Sequence, residues 1–501
     1  MPLDPDHCYP ALVARDARFD GLWFVGVSST GIYCRPICRV RTPKRENCSF
    51  YASAAQAEAA AYRPCLKCRP ELAPRAGQPA WSVMDASHTL ARQAAEWLDR
   101  SDDPEASIEQ LATQLGITGR HLRRIFAAEH GVTPLQYLQT RRLLLAKQLL
   151  SDSKLPVSEL AHAAGFASLR RFNAAFIEHY RMQPSALRRQ GAAAAAMAKP
   201  GQLRLAFRPP YAVQALLQFL ADRAIPGVEV VDLDQQRISR SLRLLHRGQI
   251  LRGHLVVQFD AQASQLRLSP SASLWPASAS LLPLVRRWLD LDAEPSGIDA
   301  RMGALATAEP GLRLPGCVDR FELAVRAVLG QQVTVAAART LAARLVQRFG
   351  EALVEPAQAP GLNRLFPSPA SLADLEPSQI AELGIIRQRA QALIALAEAW
   401  PRLRFALGQG EVDEARKELL ALPGIGPWTA DYMLMRGWSW PDAFPTGDIV
   451  LRRALSPDPA QPLTAAQTLA AAEPYRPYRS YAVLRLWRNA ALLAPAKRSS
   501  S

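Results

Sequence analysis

Six of the seven cysteines fall within the first seventy residues: Cys8, Cys34, Cys38, Cys48, Cys65 and Cys68, with Cys317 far downstream. An odd number so unevenly placed does not make a secreted disulfide framework; in a reducing compartment it reads as metal-binding or reactive. Cys34-x-x-x-Cys38 and Cys65-x-x-Cys68 form two close pairs with 26 residues between them. Four thiolates at such spacing can close one tetrahedral zinc site, which would hold together a domain too small for a large core. The site is either a purely structural knot or a reactive one. Four thiolates on one Zn²⁺ carry a net charge of about −2, so each sulfur stays ionised and nucleophilic. Such a sulfur can take a methyl group by in-line displacement, becoming a neutral thioether. Removing a negative charge that faces phosphates would raise affinity for DNA. Cys8 and Cys48 lie outside the paired spacing and read as spare thiols.

A second chemical signal is the run Leu422-Pro-Gly-Ile-Gly-Pro-Trp-Thr-Ala-Asp-Tyr432. Gly424 and Gly426 bracket one apolar residue at a helix start, where backbone N–H groups can approach a DNA phosphate closely. By itself the glycine pair is weak evidence.

The elements that must position these groups divide by texture. Residues 1 to about 78 are rich in Cys, Arg and aromatics. From about 82 to 190 the apolar spacing is helical, in short units broken at Gly116, Gly131, Pro156 and Gly165. Ser107–Gly116 reads as a capped helix, followed by an Arg-rich one over 119–130; residues 157–166 and 167–180 repeat the plan, with a long helix over 135–150 between. Helix, glycine-bearing turn, Arg-rich helix is the arrangement that places a recognition helix in a major groove. Arg120, Arg123, Arg124, Ser168, Arg170, Arg171 and Asn173 are the candidates for DNA contact, with base and phosphate contacts not separable at this stage. The alanine-rich stretch 191–200 reads as a linker. Beyond it, 201–280 shows strand-like alternation at 253–259 and 265–268, and 281–495 is helical throughout, with helices near 319–349, 378–400, 411–421 and 427–437.

Over 501 residues the formal net charge is +15, which attracts polyanions. No run approaches the ~18 apolar residues of a spanning helix, and MPLDPDHCYP has neither the basic nor the apolar part of a signal peptide. A soluble cytoplasmic protein working on nucleic acid, with no membrane partner, is the expectation.

Three resemblances sharpen it. Thr30-Gly-Ile-Tyr-Cys-Arg-Pro-Ile-Cys-Arg39, Arg45-Glu-Asn-Cys-Ser-Phe-Tyr51 and Arg63-Pro-Cys-Leu-Lys-Cys-Arg-Pro70 resemble the N-terminal domain of the Ada methylphosphotriester-DNA methyltransferases. That resemblance implies one zinc on Cys34, Cys38, Cys65 and Cys68, with Cys34 as the methyl acceptor, once per protein. Cys48 stands where the family often has an apolar residue. The tandem helical units, ending Ala164-Gly-Phe…Phe172…Phe176…Tyr180-Arg-Met-Gln-Pro-Ser185, are similar to AraC-type regulators, a module that follows the zinc domain in the Ada family. A regulator of this kind implies promoter DNA and RNA polymerase as partners.

The third resemblance rests on Leu422–Tyr432 with Phe444-Pro-Thr-Gly-Asp-Ile-Val450, Phe207-Arg-Pro-Pro-Tyr211, Leu314-Pro-Gly-Cys-Val-Asp319, Val328-Leu-Gly-Gln-Gln-Val-Thr-Val335 and Pro474–Tyr481. These resemble the helix-hairpin-helix glycosylases, and most closely the AlkA-type 3-methyladenine DNA glycosylases, over roughly 202–494. The resemblance implies Asp448 as catalytic carboxylate. One carboxylate suffices because a base such as N3-methyladenine already carries positive charge and leaves easily; the carboxylate stabilises an oxocarbenium-like transition state or orients water. The base must leave the stack for an aromatic pocket, for which Trp428, Tyr432, Tyr478 and Phe219 are candidates. Gln331 and Gln332 are expected at DNA, Gln332 where the family can place a leucine wedge, and Tyr478 stands where a tryptophan is familiar. Pro427-Trp428 occupies the place of the lyase lysine and no cysteine follows Cys317, so a monofunctional enzyme without an iron–sulfur cluster is expected. Cys317 reads as a packed thiol. No Pro-Cys-His-Arg element of an O6-alkylguanine acceptor is present.

The expected architecture is therefore multidomain and mainly α: a small zinc-bound α+β domain (1–78), a tandem helix-turn-helix domain (82–190), a linker, an α/β subdomain (201–280) and an all-α helix-hairpin-helix body (281–495). The expected function joins base excision of alkylated DNA to methyl-triggered regulation. The alternatives are a glycosylase whose front half is only a DNA tether, and a pure regulator whose C-terminal body merely binds DNA.

Overall fold

The computed structural model describes residues 3–75, 86–100, 107–194, 201–357, 359–403 and 412–493. The chain forms two compact units: one of Met1–Pro209, Arg243–Arg286 and Leu291–Glu294, the other of Pro210–Leu242, Arg287–Asp290 and Pro295–Ser501. The stretch 201–280, expected as one subdomain, contributes to both.

In the first unit a small sheet carries the cysteine pairs. Its strands Phe24–Val27, Ile32–Cys34, Cys48–Tyr51 and Arg63–Pro64 lie in the spatial order third, first, second, fourth. Strand Arg63–Pro64 runs parallel to Ile32–Cys34, pairing Ile32 with Arg63 and Tyr33 with Pro64. Parallel neighbours end at the same edge, so Cys34 and Cys65 emerge side by side. The core below is apolar, built from Leu12, Trp23, Val25 and Val27, with Cys8 and Cys48 buried in it. Both stand apart from the four clustered cysteines.

The tandem helical plan is present. Ile108–Gln114 is capped by Ser107, and Gly116 at φ +69° turns the chain towards Gly119–His130. Pro134–Asp152 links this pair to Val157–Ala163 and Leu169–Tyr180. Leu122, Phe126, Phe172 and Phe176 are fully enclosed, so the apolar faces point inward and the arginines outward. The last helix, Pro184–Ala194, extends four residues into the stretch expected as linker; 195–200 lie outside the described residues. Strands Gln249–Asp260, Gln265–Pro270 and Leu203–Ala206 complete this unit as an antiparallel ladder.

The second unit is helical except for two short ladders. Glu229–Asp232 pairs with the start of strand Arg237–His246, and Glu351–Ala352 pairs with Arg364–Leu365. The latter departs from the all-helical expectation. The helix expected over 319–349 is two helices, Arg320–Leu329 and Val335–Phe349. Gly330 closes the first, Thr334 caps the second, and Gln332 between them adopts φ +54°. The helix expected over 378–400 is likewise broken, at Gly384 with φ +83°, into Pro377–Ala381 and Arg387–Ala399. The hairpin helices are Val412–Leu420 and Pro427–Gly437.

Candidate active site and metal centre

Cys34, Cys38, Cys65 and Cys68 converge, with their sulfurs within 4.8 Å of one another. A tetrahedron of Zn–S bonds near 2.3 Å needs sulfurs about 3.8 Å apart, so the donor set fits a tetrahedral thiophilic cation. So crowded, the thiols cannot ionise independently. Hydrogen bonding with Cys38 and Cys65 pushes the Cys34 thiol up, while the bond from Cys34 holds Cys38 at about 7. Bonds from Cys34 and Cys38 hold Cys65 far down, and the same two neighbours push Cys68 far up. A divalent cation shared by all four lets every sulfur be a thiolate.

Main-chain donors distinguish the sulfurs. The Arg35 N–H donates to Cys68 Sγ at 3.4 Å. The Val40 N–H favours the Cys38 thiolate, and the Cys68 N–H the Cys65 thiolate. Among the described residues, Cys34 has no such donor. The cluster is anchored behind: Arg35 donates to Cys68 O at 3.0 Å and forms a buried ion pair with Asp20, and the fully buried Arg208 donates to Asp20 O at 2.9 Å.

The arginines of the first recognition helix, Arg120, Arg123 and Arg124, are exposed, as are Arg170 and Arg171 of the second. Arg123 is held by Glu109 at 2.5 Å and Arg124 lies 3.1 Å from His121 Nδ1. Ser168 is the N-cap of the second recognition helix, its Oγ accepting from the Arg171 N–H at 3.2 Å. Asn173 is half-buried. The short helix Ala54–Ala59 of the cysteine domain meets the C-terminal ends of both recognition helices. Gln56 donates to His130 O at 3.0 Å, and Glu58 lies 2.7 Å from His179 Nε2. The other oxygen of Glu58 accepts from the hydroxyl of Tyr33, the neighbour of Cys34, at 2.9 Å.

In the second unit Asp448 is half-buried at the N-terminus of helix Ile449–Ala454. Its Oδ1 accepts from the N–H groups of Val450 and Leu451 at 2.9 and 3.1 Å, which leaves Oδ2 for the Trp428 indole N–H at 2.9 Å. Three donors on one carboxylate fix its orientation. Trp428 stacks on Tyr432, with centroids 5.3 Å apart and planes 7° from parallel. Arg436 donates to the Tyr432 hydroxyl at 3.0 Å, and its guanidinium lies 4.8 Å from the Phe219 centroid. The site thus brings together Asp448, Trp428, Tyr432 and Phe219. Tyr478 stands edge-on to Tyr481, 6.0 Å away. The sequence reading missed Arg436, Arg223, which lies 3.7 Å from the Phe219 centroid, and Trp487, 6.3 Å from Tyr432. A signal for Arg436 was present, since Trp428, Tyr432 and Arg436 recur every four residues along one helix face.

Gly424 adopts φ +76°, and a Cβ there would sit 2.6 Å from Ala392 Cβ; around Gly426 nothing lies within 4 Å. The amide nitrogen of Gln331 braces the hairpin, donating to Gly424 O at 2.8 Å and Thr429 Oγ1 at 3.0 Å, whereas Gln332 stands exposed.

A capped, indole-anchored aspartate beside stacked aromatics and a glycine hairpin, with a four-cysteine cluster and a tandem helix-turn-helix in the same chain, fits a DNA-repair glycosylase joined to a DNA-binding regulator. Family models agree on each part: the metal binding domain of Ada over residues 7–71, a helix-turn-helix domain over 111–190, the AlkA N-terminal domain over 202–319, and the HhH-GPD superfamily of base excision DNA repair proteins over 325–459. The chain is 38% identical to a probable bifunctional transcriptional activator/DNA repair enzyme AlkA of Mycobacterium tuberculosis, over 97% of this chain and 96% of that one. It is 39% identical to DNA-3-methyladenine glycosylase 2 of Escherichia coli, over 56% of this chain and 95% of that one. It is 33% identical to the bifunctional activator/repair enzyme Ada of Escherichia coli, over 32% of this chain and 43% of that one. The chain belongs to the family of bifunctional transcriptional activator/DNA repair enzymes of the AlkA type, and its C-terminal part is a DNA glycosylase of that type. No described helix is long and apolar enough to cross a membrane.

Proposed function

We propose that the protein releases alkylated bases of the 3-methyladenine type from duplex DNA and separately accepts a methyl group from DNA methylphosphotriesters on Cys34. The observation that carries the first half is the Asp448 carboxylate, held by two main-chain donors and the Trp428 indole at the edge of the stacked aromatics. Trp428, Tyr432, Phe219 and Tyr478 would receive the flipped base, and Asp448 would stabilise the sugar cation as the glycosidic bond breaks and water adds. Gly424 and Gly426 would take the phosphate at the hairpin. With Gln331 committed to bracing the hairpin, Gln332 is the residue to fill the space left by the base.

At the front, zinc on Cys34, Cys38, Cys65 and Cys68 would keep the sulfurs ionised. The Cys34 sulfur attacks the methyl carbon, a C–S bond forms as the C–O bond breaks, and the phosphate leaves as an ordinary diester anion. Exposure alone favours Cys68, which is half-buried where Cys34 is 6% exposed. Basicity favours Cys34, because an N–H donor on a thiolate withdraws the lone pair that displacement uses. We choose Cys34 on that ground, since displacement at the methyl carbon is faster from the sulfur with fewer donors on it. The methylated form would bind promoter DNA through Arg120, Arg123, Arg124, Arg170 and Arg171, with Ser168 and Asn173 alongside, and would recruit RNA polymerase in the cytoplasm.

Radiomethylated DNA tests both halves. Wild type should release labelled base and also take label into protein; Asp448→Asn should keep the second activity and lose the first. Fragmentation of the labelled protein should place one methyl on Cys34; a methyl on Cys68, or none, sinks that assignment. If the protein takes no label at all, a glycosylase with a front half serving only as a tether is the reading that stands.

A further inference from the structure

Behind the candidate base pocket the charges do not balance. Glu229 and Glu322 are each held by Arg240, at 2.8 and 2.6 Å, and by Arg326, at 2.9 and 2.8 Å. That uses both carboxylates on two arginines. Arg223 and Arg436 beside them form no ion pair among the described residues, although the charge of the adjoining Asp222 acts on Arg223. Arg223 donates to Phe219 O at 3.1 Å. Arg436 donates to the carbonyls of Pro315 and Gly316 and to the Tyr432 hydroxyl. Both guanidinium groups lie on the same ring, Phe219, at 3.7 and 4.8 Å from its centroid, and Arg436 also lies 5.9 Å from the Tyr432 centroid.

An aromatic ring attracts a cation through its quadrupole. A ring already polarised towards two fixed cations has less to offer a third, and the fixed charges themselves repel it. The Tyr432 phenol registers the same field. Burial pushes it up, yet Arg436, Arg223 and Arg326 together pull it below its ordinary value.

The geometry points to Arg223 as a specificity-determining residue that restrains the pocket's preference for cationic bases and so widens its range towards neutral ones. Resting on the base-pocket reading above, this explains why a pocket lined with electron-rich rings carries two arginines against them that form no ion pair. Burying such a charge is costly, and no structural salt bridge repays it here.

The test is a ratio. Single-turnover kcat/KM is measured on duplexes carrying one N7-methylguanine, which is cationic, or one hypoxanthine, which is neutral. In Arg223→Gln the cationic-to-neutral ratio should rise about tenfold, the scale of one partly desolvated cation–π contact. In Arg223→Lys, which keeps the charge, it should stay within about twofold of wild type on the same scale. Arg223→Met serves if the glutamine variant does not fold. As an independent reading of the field, the Tyr432 phenol, isolated as the difference from Tyr432→Phe, should titrate at higher pH in the neutral variants. An unchanged ratio overturns the proposal. A falling ratio also overturns it, because the arginines would then act by making Tyr432 a phenolate that attracts cations. If wild type releases neither base, the pocket reading itself fails, which is a separate result.

Discussion

Asp448 does two jobs with its two oxygens, and the division makes its chemistry separable from its structural role. Oδ1 caps a helix and Oδ2 meets an indole N–H. Asparagine can still cap, so Asp448→Asn should fold. Trp428→Phe keeps a ring in the stack but removes the N–H. A hydrogen bond to a charged group is worth ~1.5–3 kcal/mol, so base release should fall by about tenfold or more. Circular dichroism should remain that of wild type. If the variant releases base at the wild-type rate, the indole does not orient the carboxylate. At this scale the sequence was informative where chemistry forces a residue type. The cysteine pairs, Asp448 and the glycine hairpin could all be singled out from spacing and resemblance. Arg223 could not, because its meaning lies in what it is denied: Glu229 and Glu322 are taken by Arg240 and Arg326, which reach them from other segments.

At the scale of elements the hairpin glycines separate steric need from function. Gly424 needs a left-handed backbone and has Ala392 against it, whereas Gly426 at φ −93° has open space. Gly424→Ala should therefore cost roughly 1–3 kcal/mol of stability, seen as a lower melting temperature. Gly426→Ala should melt like wild type and yet bind DNA more weakly, because the added methyl stands where a phosphate would come. A normal affinity for Gly426→Ala would remove the hairpin from the DNA interface. The breaks at 330–334 and at Gly384 were not legible in the sequence, since neither contains proline and the apolar period runs through both; only tertiary packing decides where such a helix stops.

The short helix Ala54–Ala59 offers a further element-scale test. Burial opposes the charge of His179, but the Glu58 carboxylate 2.7 Å away outweighs burial and raises its pKa. A base whose pKa is raised on folding stabilises the fold fully below its unfolded value, near ~6.5, and that contribution is lost as pH rises through the folded value. The melting-temperature gap between wild type and His179→Gln should accordingly be widest near pH 5.5–6 and close towards pH 8.5. A gap that is constant with pH would mean that the pair contributes shape alone. The link is of interest because Tyr33, beside Cys34, shares Glu58 with a recognition helix.

For the whole molecule, a net charge of +15 supplies general affinity for DNA that weakens with salt, while the two chemistries sit in different units. The four cysteines belong to the first; Asp448, Trp428, Tyr432, Phe219 and the hairpin belong to the second. A small metal domain draws much of its folding free energy from its ion, and nothing in the second unit's site depends on a sulfur ligand. Treatment with a thiol-competing chelator should therefore abolish methyl acceptance and leave base release from alkylated DNA near its starting rate. Assayed at low salt, where the charge of the remaining chain still holds DNA, the two activities should part completely. If base release falls in step with methyl acceptance as metal is withdrawn, the front domain is required by the glycosylase, and the fusion is one machine rather than two activities carried on one chain.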